Sequence, residues 1–271
     1  MSQHPDHHEP ANGHTHHDDG AHQHGDGTGH DGGHRHGAST PDVSAMPQEP
    51  RAFWEARYGG APVWSGRVNA TIAALVADLT PGRSLDLGAG EGGDVIHLAE
   101  AGWDATGVDI SEAAVARARA AAVERRVAVE GAEAGAGRAQ FLAADLTDVT
   151  SDWGAHDDGA AGYDLITGSF FQSPVELDRA RILRHARDLL APGGRLVLVS
   201  HAAPPSWAPA QLAEHGDFPS PASELALLGV SAEGDDAWEV LSAEVRRRPA
   251  TGPDGEAATL DDTVVVVRRR G

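Results

Sequence analysis

Ser84-Leu85-Asp86-Leu87-Gly88-Ala89-Gly90-Glu91-Gly92-Gly93 decides the fold. The first four residues form a short buried strand, and the chain passes at once into a glycine-rich turn. A helical pattern over 92–101 follows directly. Glycine permits the tight turn and close approach to the backbone, while the helix start offers N–H groups that no helical carbonyl satisfies. A strand, glycine turn and helix in that order predict a ligand site at the carboxyl end of a parallel strand.

Working outward, the same alternation continues. Strands are predicted at 104–108, 140–143, 163–167 and 195–200, with helices over 111–126 and 175–190. Ser111 caps the first of these helices, and Pro192-Gly193-Gly194 ends the second. Upstream, 53–58 reads as a short helix ended by Gly59-Gly60, and 68–79 as a second helix closed by Pro81-Gly82. Downstream, 238–246 and 259–267 are two strands joined through Pro253-Asp254-Gly255 with no helix between them, which predicts an antiparallel hairpin. Apolar strands alternating with helices imply a sheet covered on both faces. The expected fold is α/β: a Rossmann-like, doubly wound, seven-stranded sheet, mostly parallel, with a C-terminal antiparallel β-hairpin.

Residues 1–50 differ in kind. They hold eleven of the 16 His, together with Gly and Asp, and almost nothing apolar. Such a segment cannot repay the entropy of ordering, so a disordered tail is expected over 1–50 and one domain over 51–271, its cofactor-binding core spanning about 82–201. The His spacing fits no closed zinc site, though scattered imidazoles predict weak capture of divalent metals by the tail. The net charge of −20 argues against nucleic-acid partners. With no Cys there are no disulfides, and no apolar run is long enough to cross a membrane. A cytoplasmic monomer or dimer is expected.

Gly88, Gly90 and Gly93 satisfy the G-x-G-x-x-G spacing, and Asp109 follows about twenty residues after the turn, at the end of the second strand. A carboxylate there accepts from ribose hydroxyls, so the pair predicts an adenosine-containing ligand and leaves an NAD(P)-dependent oxidoreductase as an alternative. Asp86 chooses between them: an acid inside the strand end suits an ammonium and a sulfonium better than a pyrophosphate. Asp145, within Ala144-Asp145-Leu146, adds a second acid near the expected adenine position. The terminal hairpin is also foreign to a dinucleotide fold. The combined pattern favours S-adenosylmethionine.

From Phe53 onward the chain resembles class I S-adenosylmethionine-dependent methyltransferases, most closely the tellurite-resistance and thiopurine methyltransferase branch. The resemblance lies in Trp54-Glu55-Ala56-Arg57-Tyr58 with Trp64, Leu85 to Gly92, Val108-Asp109-Ile110-Ser111, Ala144-Asp145-Leu146 and Leu190 to Leu196. It implies that the Gly88-Ala89-Gly90 backbone lies along the methionine part of the cofactor. It further implies that Asp109 holds the ribose, Ile110 faces the adenine, Asp145 accepts from the adenine amino group, and the Leu146 N–H contacts the ring. Arg57, Tyr58 and Trp64 would form a lid over cofactor and substrate. Ala89 stands where many relatives have Cys, at a position that contributes backbone.

Methyl transfer needs alignment more than protein chemistry, because the sulfonium already activates the carbon. A small-molecule acceptor is expected, and the branch brings soft sulfur and metalloid nucleophiles within range; these need no base. At the sheet rim, Ser169 joins the cofactor-binding set, Phe170 and Phe171 line a substrate pocket, and His201 is the candidate general base. His97 and His185 read as packing or surface residues, and His215 with Asp217 as a cap on the pocket. No metal ligands are assigned within the domain. A third reading, metal handling through the His-rich tail, stands beside these two.

Overall fold

The computed structural model describes residues 46–129, 137–150, 153, 162–208 and 218–271. The tail before residue 46, residues 130–136, and His215 with Asp217 lie outside the described residues. Two short helices come first, α1 (Pro50–Tyr58) and α2 (Ala70–Val76). The alternating part follows: β1 (Arg83–Leu87), α3 (Gly93–Glu100), β2 (Asp104–Asp109), α4 (Glu112–Glu124) and β3 (Arg138–Ala143). Then come β4 (Tyr163–Ser169), α5 (Arg179–Asp188), β5 (Leu190–His201), α6 (Pro221–Leu228), β6 (Trp238–Thr251) and β7 (Ala257–Arg269).

The seven strands form one sheet in the order β3-β2-β1-β4-β5-β7-β6. The first five pair in parallel, and β7 enters antiparallel between β5 and β6. Strand order reverses between β1 and β4, and in such sheets the crevice at the carboxyl ends beside that reversal receives the ligand. The predicted sheet and terminal hairpin are therefore those observed. No helix among the described residues is long and apolar enough to cross a membrane.

Two apolar layers cover the sheet. Val264-Val265-Val266-Val267 explains the unbroken apolar runs, because Val265 and Val267 join the layer containing Ile182, Leu183, Leu225 and Leu228 of α5 and α6. Val264 and Val266 join the layer of α2, α3 and α4 on the other face. Each such buried valine contributes roughly 1.5–3 kcal/mol. On α4, Ala114, Ala118 and Ala122 are buried, and these small side chains let the helix lie close to the strands.

Gly107 on β2 sits where strand, turn and helix approach closely. A Cβ there would lie 2.7 Å from both Ala89 Cβ and Val95 Cγ2. Gly107→Ala should therefore destabilise the domain by about 1–3 kcal/mol through overpacking. A fall of several degrees in a thermal melt would register it, and an unchanged melt would contradict the packing described.

The helix predicted over 175–190 is shorter than expected. Asp178 accepts from Arg181 N at 3.1 Å and starts α5 late. Leu190 belongs to the sheet, opposite Tyr163. Pro192-Gly193-Gly194 sits within β5 and not at a helix end, Gly193 taking φ 82° beside an irregularity in strand register. The helix expected from residue 68 begins at Ala70, because the Asn69 side chain accepts from Thr71 N at 2.8 Å. Helix α6 was not foreseen. The hairpin strands run further than 246 and back to 257, since the turn closes only where Gly252 N donates to Glu256 O at 2.9 Å.

Candidate cofactor and active site

The glycine turn is tied to the end of β2. Gly88 N and Ala89 N both donate to Val108 O, at 2.9 and 3.0 Å. Gly88, Gly90 and Gly92 take left-handed backbone, φ 68°, 53° and 82°, which only glycine adopts without cost. The Asp109 carboxylate completes the tie: Oδ2 accepts from Gly90 N and Oδ1 from Ser111 N, each at 2.9 Å. One side chain thus sets both the turn and the start of α4, and each of its oxygens keeps a lone pair for a ligand.

Besides Glu91, which pairs with Arg117, three buried carboxylates line the cleft: Asp86, Asp94 and Asp109. Thr167 donates its hydroxyl to Asp86 Oδ1 at 2.6 Å, and Asn69 N donates to Asp94 Oδ1 at 2.7 Å. None of the three forms an ion pair among the described residues. Burial pushes Asp86 well above the usual carboxylate range, and the charges of Asp94 and Asp109 add to it against the Thr167 hydrogen bond. Burial also raises Asp94 and Asp109, although hydrogen bonds from Asn69 and Ser169 relieve the first and those from Ser111 and Gly90 the second. The cleft is therefore short of positive charge where it is deepest in acid.

The segment before β1 is fastened across the turn. Arg51 donates to Ile110 O at 2.7 Å, and Glu55 accepts from Glu112 N and Ala113 N at the start of α4. Glu91, inside the glycine turn, accepts from Val63 N and Trp64 N and pairs with Arg117 at 2.8 Å. Trp54 stacks on Tyr58 with centroids 5.8 Å apart, and Trp64 Nε1 donates to the Tyr58 hydroxyl at 3.0 Å. Burial and the Asp109 charge push the Tyr58 phenol up, so it stays neutral. A Cβ on Gly90 would sit 2.9 Å from that hydroxyl, which shows how closely the aromatic segment covers the turn. Trp64 is nonetheless 49% exposed.

The β5–β7 side of the cleft is built differently. Phe170, with φ 51°, stacks on His201 at 4.1 Å and 28°. The ring of Phe171 lies over Gly88, and Arg179 holds the Phe171 carbonyl at 2.7 Å. Arg179 is itself fixed by the fully buried Glu224, which also accepts from Ser200 at 2.9 Å. His201 Nδ1 lies 3.3 Å from Asp262 Oδ1, close enough for charge contact but not aligned as a standard hydrogen bond. Arg248 Nε meets the other Asp262 oxygen at 2.6 Å.

These groups surround one cleft of about 760 Å³, the size expected for a small-molecule site. Asp86, Gly88, Ala89, Gly90, Asp109 and Ile110 line it from the β1–β2 side, and Ala144, Asp145 and Leu146 from the loop after β3. Asp145 Oδ1 also accepts from Thr147 N and Oγ1, at 2.8 and 2.7 Å. Ser169, Phe170 and His201 line the β4–β5 rim, with Tyr58 and Trp64 over the turn. Arg57 does not line the cleft; Trp54 and Tyr58, four residues apart, share the helix face that does, and Arg57 falls to one side of it. Among the described residues there is no group of three or more ligating side chains arranged to hold a metal ion.

Sequence reasoning missed Glu91, Asp94, Thr167, Arg248 and Asp262. Asp94, one residue into a helix that follows a ligand turn, carried a local signal. Asp262 and Arg248 did not, because their partners are set by cross-strand register.

Comparison with known proteins agrees with this geometry. Residues 63–228 match the family described as methyltransferase domain. No curated protein sequence matches the chain. Among solved structures, one concerned with conversion of a disulfide bond into a thioacetal group during echinomycin biosynthesis is 23% identical, with a TM-score of 0.57 over 80% of this chain and 91% of that one. TehB from Haemophilus influenzae is 14% identical, with a TM-score of 0.53 over 82% and 67%. The N-methyltransferase NodS from Bradyrhizobium japonicum WM9, in complex with S-adenosyl-L-homocysteine, is 16% identical, with a TM-score of 0.53 over 82% and 100%. With its family match covering more than half its length and its sheet of the same fold, the chain belongs to the methyltransferase domain family and is an S-adenosylmethionine-dependent methyltransferase.

Proposed function

We propose that the cleft binds S-adenosylmethionine on its β1–β3 side and presents the methyl group to a small-molecule acceptor on its β4–β7 side. The observation that carries this reading is the set of three buried, unpaired carboxylates behind a glycine turn. Burying an acid without a partner is costly, and a ligand bearing an ammonium and a sulfonium removes that cost. A diphosphate in the same place would meet Asp86 and Asp94 with like charge, which counts against the dinucleotide reading.

In this arrangement Asp109 accepts from the ribose hydroxyls while its hydrogen bonds to Gly90 and Ser111 fix its orientation. The Gly88–Gly90 backbone lies along the amino-acid part, with Asp86 and Asp94 toward the ammonium. Asp145, braced by Thr147, takes the adenine amino group beside Ile110 and Leu146. The aromatic segment of Tyr58 and Trp64 excludes water. The cofactor supplies an activated methyl carbon, and the protein's contribution is alignment and a dry, electronegative cradle.

We place residues 51–271 together as the catalytic domain, a division supported by the Glu49 cap at the start of α1. The aromatic N-terminal segment over the turn supports the tellurite-resistance and thiopurine branch. Calorimetric titration tests the cofactor reading directly. S-adenosylhomocysteine should bind saturably and stoichiometrically, whereas NADH should give no heat of binding. The reverse result would restore the oxidoreductase.

A further inference from the structure

We propose that His201, oriented by the buried Asp262, is the base that takes a proton from the methyl acceptor, and that the acceptor's nucleophile is a phenolic hydroxyl. This rests on the methyl-transfer reading and adds the acceptor class to it. His201 is the last residue of β5 and the cross-strand partner of Asp262 on β7. The Asp262 side chain is 0% exposed, and its Oδ1 faces His201 Nδ1 at 3.3 Å. The pair is not aligned as a standard hydrogen bond, and neither atom has a hydrogen-bond partner among the described residues. Arg248 engages the opposite oxygen at 2.6 Å. Burial would raise Asp262, but His201 and Arg248 outweigh it and hold the acid below the usual carboxylate range.

An ionised, buried carboxylate needs a donor on each oxygen. Neutral imidazole supplies one to Oδ1 only as the Nδ1–H tautomer, which leaves the Nε2 lone pair available. No described residue hydrogen-bonds Nε2. The His201 side chain is 39% exposed and lines the cleft, and its ring plane is set by the stack on Phe170. A positioned acceptor lone pair at the sheet rim is the geometry of a general base.

The neighbours of that base choose the acceptor. A thiol ionises on its own at about pH 8.5 and gains little from a base. A soft metalloid carries its lone pair bare. An ammonium would need deprotonation, yet it would bring positive charge toward Arg248 and toward the imidazolium that forms. A phenol, ionising at about pH 10, arrives neutral and still holds its proton. Its ring also suits the walls made by Phe170, Phe171 and Trp64. In the step, the hydroxyl proton passes to Nε2 as the oxygen–carbon bond forms. The carbon–sulfur bond breaks at the same time, and its electron pair leaves on sulfur, whose positive charge is thereby neutralised.

The test uses the full chain, S-adenosylmethionine with a labelled methyl group, and two acceptors, 4-methylphenol and 4-nitrophenol. In mildly alkaline buffer 4-nitrophenol is already ionised and needs no base. His201→Gln should lower transfer to 4-methylphenol by about 10²–10³-fold and to 4-nitrophenol by less than about tenfold. S-adenosylhomocysteine affinity should be unchanged. Independently of turnover, long-range ¹⁵N–¹H spectra should show neutral His201 as Nδ1–H, identified by its loss in His201→Gln, and Asp262→Asn should move it toward Nε2–H. Equal losses on both phenols, no loss, an Nε2–H tautomer in the unaltered chain, or binding of S-adenosylhomocysteine without methylation of either phenol would overturn the proposal. Absence of S-adenosylhomocysteine binding would instead remove the cofactor reading beneath it.

Discussion

Asp109→Asn lowers the affinity for S-adenosylhomocysteine by at least about 10²-fold and also destabilises the free domain; this is the expected result, although the substitution preserves shape. Two hydrogen bonds from ribose hydroxyls to a carboxylate are each charge-assisted, at about 1.5–3 kcal/mol. The amide keeps only one acceptor oxygen. Because Asp109 already accepts from Gly90 N and Ser111 N through different oxygens, an amide NH₂ must face one of those N–H groups. The variant therefore loses a ligand contact and loosens the turn that the ligand lies along. Asp109→Ala should lose similar affinity. Calorimetry and a thermal melt read the two effects separately, and an Asn variant that bound normally would show that the ribose lies elsewhere.

Asp86→Asn should behave in the opposite way toward stability. Its carboxyl is buried, raised well above the ordinary value, and pressed by Asp94 and Asp109, while it accepts a hydrogen bond from Thr167 that an amide oxygen accepts equally well. Removing the charge should stabilise the free domain by about 1–3 kcal/mol, a rise of several degrees in melting temperature. It should also weaken S-adenosylhomocysteine binding by about 10²-fold through loss of the ammonium's partner. The pH dependence has a definite sign. A carboxyl raised in the folded state contributes stability that is complete below its unfolded value of 3.8 and is lost as pH climbs through the raised value. The free domain should therefore lose stability from mild acid toward neutrality more steeply than Asp86→Asn. Ligand affinity should rise over the same window, up to about tenfold per pH unit for each proton released. A flat affinity profile between about pH 5 and 7, where the ligand's ammonium keeps its charge, would contradict the cradle described.

The sheet was legible because its signals are local. Each strand carries its own apolar run, and Gly88, Gly90 and Asp109 sit at spacings fixed by one turn and one strand. Even the unforeseen α6 was written locally: Ser220 caps it, Pro221 occupies its first turn, and Gly229 ends it with φ 66°. Those marks were obscured by the surrounding prolines. The upstream error at 175–190 arose because apolar residues at helical spacing continue past the true end at Asp188 into a strand.

The unread parts of the site depend on tertiary register. Nothing near Glu91 announces that it braces Val63 and Trp64, some 27 residues earlier. Asp262 meets His201 only because β7 slots between β5 and β6 in one particular alignment, and Arg248 reaches it from a third strand. Sequence spacing cannot encode such encounters. Arg57 illustrates the converse: it stands next to Tyr58 in the chain, but the turn of the helix carries it out of the cleft.

The two sides of the cleft are drawn from separate stretches of the chain. One comes from 86–147 and the aromatic segment before it, the other from 169–201 with Arg248 of the terminal hairpin. Residues that face the acceptor wall can therefore change while the turn is kept unaltered.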